Sequence, residues 1–354
     1  MEAVQARMRL AKALSLLGVI VTFGVILMGA WTRLEDAGLG CPDWPGCYGH
    51  MVVPDSATAL ARFPHAPLDA GKAWFEMVHR YLAGGLGLLV VGLAWLAWRL
   101  RHVPGYPVRI SLALLALIML QGAFGAFTVT LRLWPQVVTL HLIGGMTIML
   151  LFLWLHLRQR EIVSQPWWSA RMARLSRPGG LWLFAIAVLA GQLMLGGWTS
   201  SNYAGIACQG IPSCNGQWWP AMDWGEGFHL TQSIGPSYLH GKLHAEARTA
   251  IHMAHRLGAV LLGGALVVLL WRYRHDVDVR PFLGLAMAAY ALQAGLGIAN
   301  VLFWLPLGLA LAHTAGAALL VLAMTAAVWR VTSLSRGLAP RPSGTDPEEE
   351  WVNA

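Results

Sequence analysis

Residues 29–47 read GAWTRLEDAGLGCPDWPGC, and residues 196–214 read GGWTSSNYAGIACQGIPSC. At a constant shift of 167, Gly29, Trp31, Thr32, Ala37, Gly38, Cys41, Pro45 and Cys47 are matched by Gly196, Trp198, Thr199, Ala204, Gly205, Cys208, Pro212 and Cys214, eight identities in 19 positions without a gap. The correspondence continues outward. His79-Arg80 recurs as His255-Arg256, and at a shift of 172 Gln121-x-x-x-Gly125 recurs as Gln293-x-x-x-Gly297 and His141 as His313. A duplication that keeps its histidines and cysteines preserves chemistry as well as helix pattern.

The chain around this repeat is apolar. Its 354 residues are 56% hydrophobic and 12% charged, with a mean hydropathy of +0.55, whereas a soluble domain carries roughly 25% charged residues. Apolar stretches fall at 12–31, 74–98, 109–130, 136–157, 180–199, 248–271, 281–303 and 305–329. Each is about 20 residues long, enough to cross a hydrocarbon core of about 30 Å as helix. The first is too long for the apolar core of a signal peptide, no convincing cleavage site follows it, and its end belongs to the repeat. The expected fold is therefore an all-α integral membrane protein with eight transmembrane helices. These form two tandem four-helix bundles of the same orientation. Four spans return the chain to the side it started from, so the copies are related by a pseudo-two-fold axis roughly normal to the membrane, a parallel rather than inverted duplication.

The expected divisions are a first bundle at 1–160, a cytoplasmic linker at 161–178, a second bundle at 179–330 and a tail at 331–354 whose polar, Pro-containing composition reads as disordered. The long loops 32–73 and 200–247 carry Trp44, Phe63, Trp218, Trp219, Trp224 and Phe228. Tryptophan prefers the membrane–water boundary, so these loops are expected to cover the bundle ends, partly as short interfacial helices.

The net charge of +8 encodes orientation. Arg7, Arg9 and Lys12 precede the first span. Arg99, Arg101 and Arg109 lie between spans two and three, Arg158, Arg160, Arg171, Arg174 and Arg177 between four and five, Arg272, Arg274 and Arg280 between six and seven, and Arg330, Arg336 and Arg341 after the last. Seventeen of the 25 basic residues thus fall on one side, and the positive-inside rule puts that side, with both termini, in the cytoplasm. Base-reading modules and basic–aromatic patterns are absent, which excludes a nucleic-acid partner and leaves membrane lipid.

All four cysteines fall in the opposite loops, outside the cytoplasm, where disulfides persist. Each pair has the form C-x5-C within one loop, so the economical pairing is Cys41–Cys47 and Cys208–Cys214. A structural staple and, for the first pair, a redox-active role both remain open. Metal binding fits less well, since no histidine lies at zinc-site spacing.

Of the 13 histidines, His79, His141, His255 and His313 lie within spans, two per bundle and at similar depth from the cysteine side. Ionisable residues inside a membrane are costly and point to function. Two imidazoles facing each other across a bundle, with no carboxylate or thiolate to complete a four-ligand shell, suit a haem iron, because the porphyrin supplies the other four ligands. Glycines on the same helices, including Gly84, Gly85, Gly87, Gly144, Gly258, Gly264 and Gly316, leave room for a flat macrocycle or for tight helix packing. Arg80 and Arg256 follow two of the histidines and are candidate propionate contacts, with snorkelling to headgroups as the alternative. The copies differ one turn earlier, where Glu76 stands at i−3 from His79 and His252 at i−3 from His255. Residues three apart share a helix face. Glu76 is therefore expected to look toward whatever His79 binds and to serve as a base or to stabilise positive charge, unless it is merely solvated. His252 is a rival to His255 as ligand, although the His-Arg match favours His255.

The run TRLEDAGLGCPDWPGC, the Glu76-x-x-His79-Arg80 cluster and the duplicated four-helix units resemble haem A synthase in its bacterial, cysteine-containing form, over about residues 12–330. The resemblance implies an oxidoreductase that converts the ring methyl of haem O to a formyl group by successive oxygenation, giving haem A for terminal oxidases. It implies His79 and His141 as axial ligands of the substrate haem O, His255 and His313 as ligands of a resident haem B, and Glu76 as the catalytic carboxylate. Cys41 with Cys47, and Cys208 with Cys214, match the family's cysteine pairs. A haem O synthase is the expected supplier and terminal oxidase assembly the expected consumer. Two rivals are a di-haem b-type electron carrier, disfavoured because all four histidines sit toward one face, and a parallel-repeat transporter, disfavoured because polar or broken helices at mid-membrane are scarce.

Overall fold

The structure is a computed structural model that describes residues 2–164 and 177–334. Most of the expected linker and nearly all of the expected tail lie outside the described residues. Among the described residues ten helices follow in chain order: α1 (Glu2–Leu34), α2 (Ser56–Arg62), α3 (Ala70–Arg99), α4 (Val108–Thr130), α5 (Pro135–Val163), α6 (Gly180–Ser201), α7 (Trp224–Gly227), α8 (Ala245–Arg272), α9 (Arg280–Leu302) and α10 (Leu307–Leu334). All but α2 and α7 are long and apolar enough to cross a membrane, and these eight coincide with the eight predicted spans. The chain is an all-helical, multi-pass membrane protein. Among the described residues there is no β-strand, only the isolated bridges Cys47–His50 and Cys214–Gln217.

The helix ends follow local chemistry. Asp69 caps α3 by accepting a hydrogen bond from the Lys72 N–H at 3.1 Å. Pro135 opens α5, and Pro281 lies in the first turn of α9, where a missing N–H costs nothing. The α4–α5 and α9–α10 turns are each four residues long and use the same device. Arg132 and Leu133 take φ of 51° and 62°, and Trp304 and Leu305 take 61° and 58°. So short a turn forces the joined helices to lie antiparallel. Each long loop carries one short helix, α2 or α7. Helix α1 begins well before its apolar span, because the residues of 2–11 are mostly good helix formers without a breaker.

Helix α1 packs on α3 and α5, and α4 closes against α3 and α5. Helix α8 packs on α6 and α9, and α10 on α9. The seam between these sets is made by α1 and α5 against α10, and by α5 against α6. Phe152 lies against Gly18, where an added Cβ would come within 2.2 Å of its ring, so a glycine lets α1 and α5 meet closely. One apolar core runs through Met8, Leu93, Met149, Phe152 and Leu155. The other runs through Trp182, Leu266, Leu283 and Met324. Leu88, Trp95, Trp98, Val260 and Trp271 are exposed, as lipid-facing residues should be.

Both cysteine loops are buried against helix starts. Cys41, Cys47, Tyr48, Ala59, Ala73 and Met77 form one apolar cluster, and Cys208, Cys214 and Met253 another. A Cβ on Gly40 would fall 2.6 Å from the Lys72 carbonyl carbon, so this loop rests directly on the first turn of α3. Burial, with the carboxylates of Asp43, Asp69 and Glu76 nearby, pushes the Tyr48 phenol above its ordinary 10.0.

Candidate functional site

The four span histidines come together as two pairs. His79 on α3 faces His141 on α5, with ring centroids 6.4 Å apart and planes at 76°. His255 on α8 faces His313 on α10, also at 6.4 Å, with planes at 79°. Each ring lies against a glycine of a neighbouring helix. A Cβ on Gly29 would come within 2.8 Å of His79, on Gly125 within 3.4 Å of His141, on Gly196 within 3.3 Å of His255 and on Gly297 within 3.0 Å of His313.

Glu76 is 5% exposed and is not solvated. One carboxylate oxygen accepts the Cys41 N–H at 2.9 Å, and the other pairs with Arg80. Arg80 also donates to the backbone carbonyls of Asp43 and Pro45, both at 3.1 Å, and to that of Gly46. In the second copy, His252 Nδ1 accepts the Cys208 N–H at 3.3 Å. Arg256 donates to the carbonyls of Ser213 at 3.1 Å and Cys208 at 2.7 Å. Both arginines are therefore anchored in the cysteine loops rather than extended to headgroups. His252 is turned onto its loop, and His255 is the residue that faces His313. Cys41 is bonded to Cys47 and Cys208 to Cys214, and each loop closes on the residue three before the first histidine of its pair, Glu76 or His252.

Sequence reading noted the repeat of Gln121 and Gln293 without giving them a role, and it missed Gln192. The Gln121 Nε2 donates to the His141 carbonyl at 2.6 Å. Gln192 Nε2 lies 3.1 Å from both the carbonyl and Nδ1 of His255, and Gln293 Nε2 lies 3.3 Å from His313 Nε2. Gln192 precedes Gly196 by four residues, so Gln-x-x-x-Gly occurs three times, and this third occurrence was the available signal. The glycines after the histidines divide accordingly. A Cβ on Gly84, Gly85, Gly87 or Gly264 would meet nothing within 4 Å, whereas one on Gly144, Gly258 or Gly316 would strike a glutamine amide.

The residues fit a bis-histidine haem. An imidazole nitrogen about 2 Å from a metal puts the ring centre roughly 3 Å from it, so two rings on opposite sides stand about 6 Å apart. The observed 6.4 Å agrees in both pairs. The buried Nδ1 atoms of His79, His141 and His313 make no hydrogen bond among the described residues, and no group of three or more His, Cys, Asp or Glu is placed there to hold a bare ion.

Comparison with known proteins identifies the family. The sequence profile of the COX15-CtaA family, described as cytochrome oxidase assembly protein, matches residues 12–325. A protein named heme A synthase from Shewanella oneidensis is 44% identical over 86% of this chain and 92% of its own length. Another of that name from Rhizorhabdus wittichii is 30% identical over 87% and 90%, and one from Shouchella clausii 27% identical over 82% and 87%. With nearly the whole chain matched, this protein belongs to the COX15-CtaA family of cytochrome oxidase assembly proteins.

Proposed function

We propose that this chain is a haem A synthase, an oxidoreductase that converts the ring methyl of haem O to the formyl group of haem A for terminal oxidases. The observation that carries the reading is the His79–His141 pair with Glu76 one turn away on α3, in a chain 44% identical to a named heme A synthase. In this reading the chain is two four-helix units, residues 1–160 and 179–330, related by a pseudo-two-fold axis. His79 and His141 hold haem O in the first, and His255 and His313 hold a resident haem B in the second.

Bound haem supplies the iron and conjugated ring through which electrons leave the substrate. The net change at the reacting carbon is loss of two hydrogens and gain of one oxygen, a four-electron oxidation whose oxygen atom and electron acceptor both come from outside the chain. The protein supplies orientation and proton handling. Glu76 is the base, and Arg80 and the Cys41 N–H fix its two oxygens. Its burial keeps water from competing for the proton. Arg80 and Arg256, held on the loop side by backbone carbonyls, are the candidates to meet the propionates. The positive-inside pattern puts both termini in the cytoplasm of a bacterium and the disulfide loops outside, in the inner or cell membrane. A haem O synthase is the natural supplier of so apolar a substrate.

A di-haem electron carrier would need no acid beside its ligands. Both histidine pairs here lie about one turn from a cysteine loop, which does not make a path across the bilayer. The test is co-expression with a source of haem O, then extraction and chromatography of the pigments. Haem A is the expected product. Recovery of haem B with unconverted haem O only would overturn the reading.

A further inference from the structure

The four histidine environments of this one chain can be compared with each other, and one differs. At three of them the backing helix carries Gln-x-x-x-Gly and the histidine's own helix carries His-x-x-Gly. The sets are Gln121, Gly125, His141 and Gly144; Gln192, Gly196, His255 and Gly258; and Gln293, Gly297, His313 and Gly316. The glycine of the first motif admits the ring. The glycine of the second admits the amide, since a Cβ there would lie 2.1 to 2.3 Å from the glutamine Oε1 in all three sets. At the fourth, Gly29 still backs His79, but Val25 stands at the glutamine position and Leu82 at the second glycine position. Both halves of the device are exchanged together, as a mutual steric requirement demands. Among the described residues the ring of His79 keeps the approach of the Val25 backbone carbonyl, an approach that Gln121 and Gln293 also make to His141 and His313.

An iron-ligating histidine is oriented by the polar group at its other ring nitrogen and by what fixes its helix turn, and losing such support costs about 10- to 100-fold in affinity. An amide can present either its oxygen or its NH2. The buried Oε1 atoms of Gln192 and Gln293 make no other hydrogen bond among the described residues, so each is free to face a ring N–H.

We infer that Gln121, Gln192 and Gln293 are positioning residues that lock His141, His255 and His313, and that His79, lacking the device, is the histidine that yields when substrate enters and product leaves. This rests on the haem-binding reading above. It accounts for how one fold retains a porphyrin in one half while exchanging it in the other. Both ligands of the resident haem are supported, and the one unsupported ligand lies at the exchange site.

The test is haem release from the purified full-length protein, followed optically with apomyoglobin as acceptor, together with the low-spin spectrum of the bound haem. Gln192→Met and Gln293→Met keep side-chain volume and remove the amide. They are expected to speed release of the resident haem about 10- to 100-fold, with the low-spin signature weakened. Val25→Gln combined with Leu82→Gly installs the device at His79 and is expected to slow release from the first half by a similar factor. Release rates and spectra equal to wild type in all these variants overturn the inference while leaving the proposed function intact. A wild-type protein that binds no haem at all overturns both.

Discussion

Arg33 donates a hydrogen bond at 2.6 Å to the backbone carbonyl of Ser200, the residue at its own place in the second copy, 167 positions on. A second bond has the same character. Tyr203 donates at 2.7 Å to Asp36, again 167 positions away, and the Arg33 guanidinium lies 3.9 Å over the Tyr203 ring. Corresponding residues of the two copies thus meet each other, which holds the two loop ends in one register.

Arg33 is expected to act as a clasp at this seam. A hydrogen bond from a charged donor contributes more than a neutral one, but partial exposure reduces it, so Arg33→Ala should cost about 1 kcal/mol. Thermal unfolding in detergent measures this. Combined with Tyr203→Phe, the effect should be non-additive by roughly 0.5 kcal/mol or more. Strict additivity would mean the contacts are independent.

Glu76 has two partners to satisfy as well as a proposed proton to accept, and two variants separate these duties. Glu76→Gln retains an oxygen for the Cys41 N–H and loses the carboxylate. It should bind haem normally, yet convert haem O at least about 100-fold more slowly, in the range of general acid–base contributions. Glu76→Ala also frees the loop and should lose stability as well. Normal haem A from either variant in extracted pigments would remove Glu76 from the chemistry.

The span positions were legible because crossing lipid imposes a length and a composition on every helix. The early start of α1 was not, since a charged helical extension leaves no trace in hydropathy. Gln192 escaped for a more specific reason. At the shift of 167 it aligns with Val25, so a search for identities between the copies discards it. Its meaning appears only when helices α6 and α8 are seen side by side. The hold of Cys41 on Glu76 was equally hidden. Spacing along α3 predicts which face Glu76 occupies, but not that a loop 35 residues earlier closes over it.

His313→Ala removes one ligand of the proposed resident haem and leaves Gln293 without its partner ring. The purified variant is expected to lose the haem B absorbance, while the first pair, a separate site, still takes up haem O. An unchanged spectrum would overturn the assignment of the second pair.

The second disulfide closes a short ring, and the loop-entropy relation gives about 2 kcal/mol for it. Cys208→Ser with Cys214→Ser should therefore lower stability by about that amount, measured by unfolding with and without a reductant. Product formed per folded protein should be unchanged. A reductant that further destabilises this variant would be acting on Cys41–Cys47 alone.

Glu76 and His252 make matched loop contacts. Each accepts one cysteine N–H, that of Cys41 or of Cys208, and each has an arginine four residues on, Arg80 or Arg256. The second site is therefore already built to receive a carboxylate. His252→Glu should fold, accept the same N–H and gain an ion pair with Arg256, leaving His255 and His313 to hold haem as before. The reverse change, Glu76→His, keeps an acceptor for Cys41 but sets an imidazole beside Arg80, where a carboxylate had balanced the guanidinium. It should fold less stably and form no haem A. Measuring melting temperature and extracted pigments for both variants checks this asymmetry. If His252→Glu loses its haem, the two loop contacts are not equivalent, and the acid of the first half cannot be read as a local replacement within a shared frame.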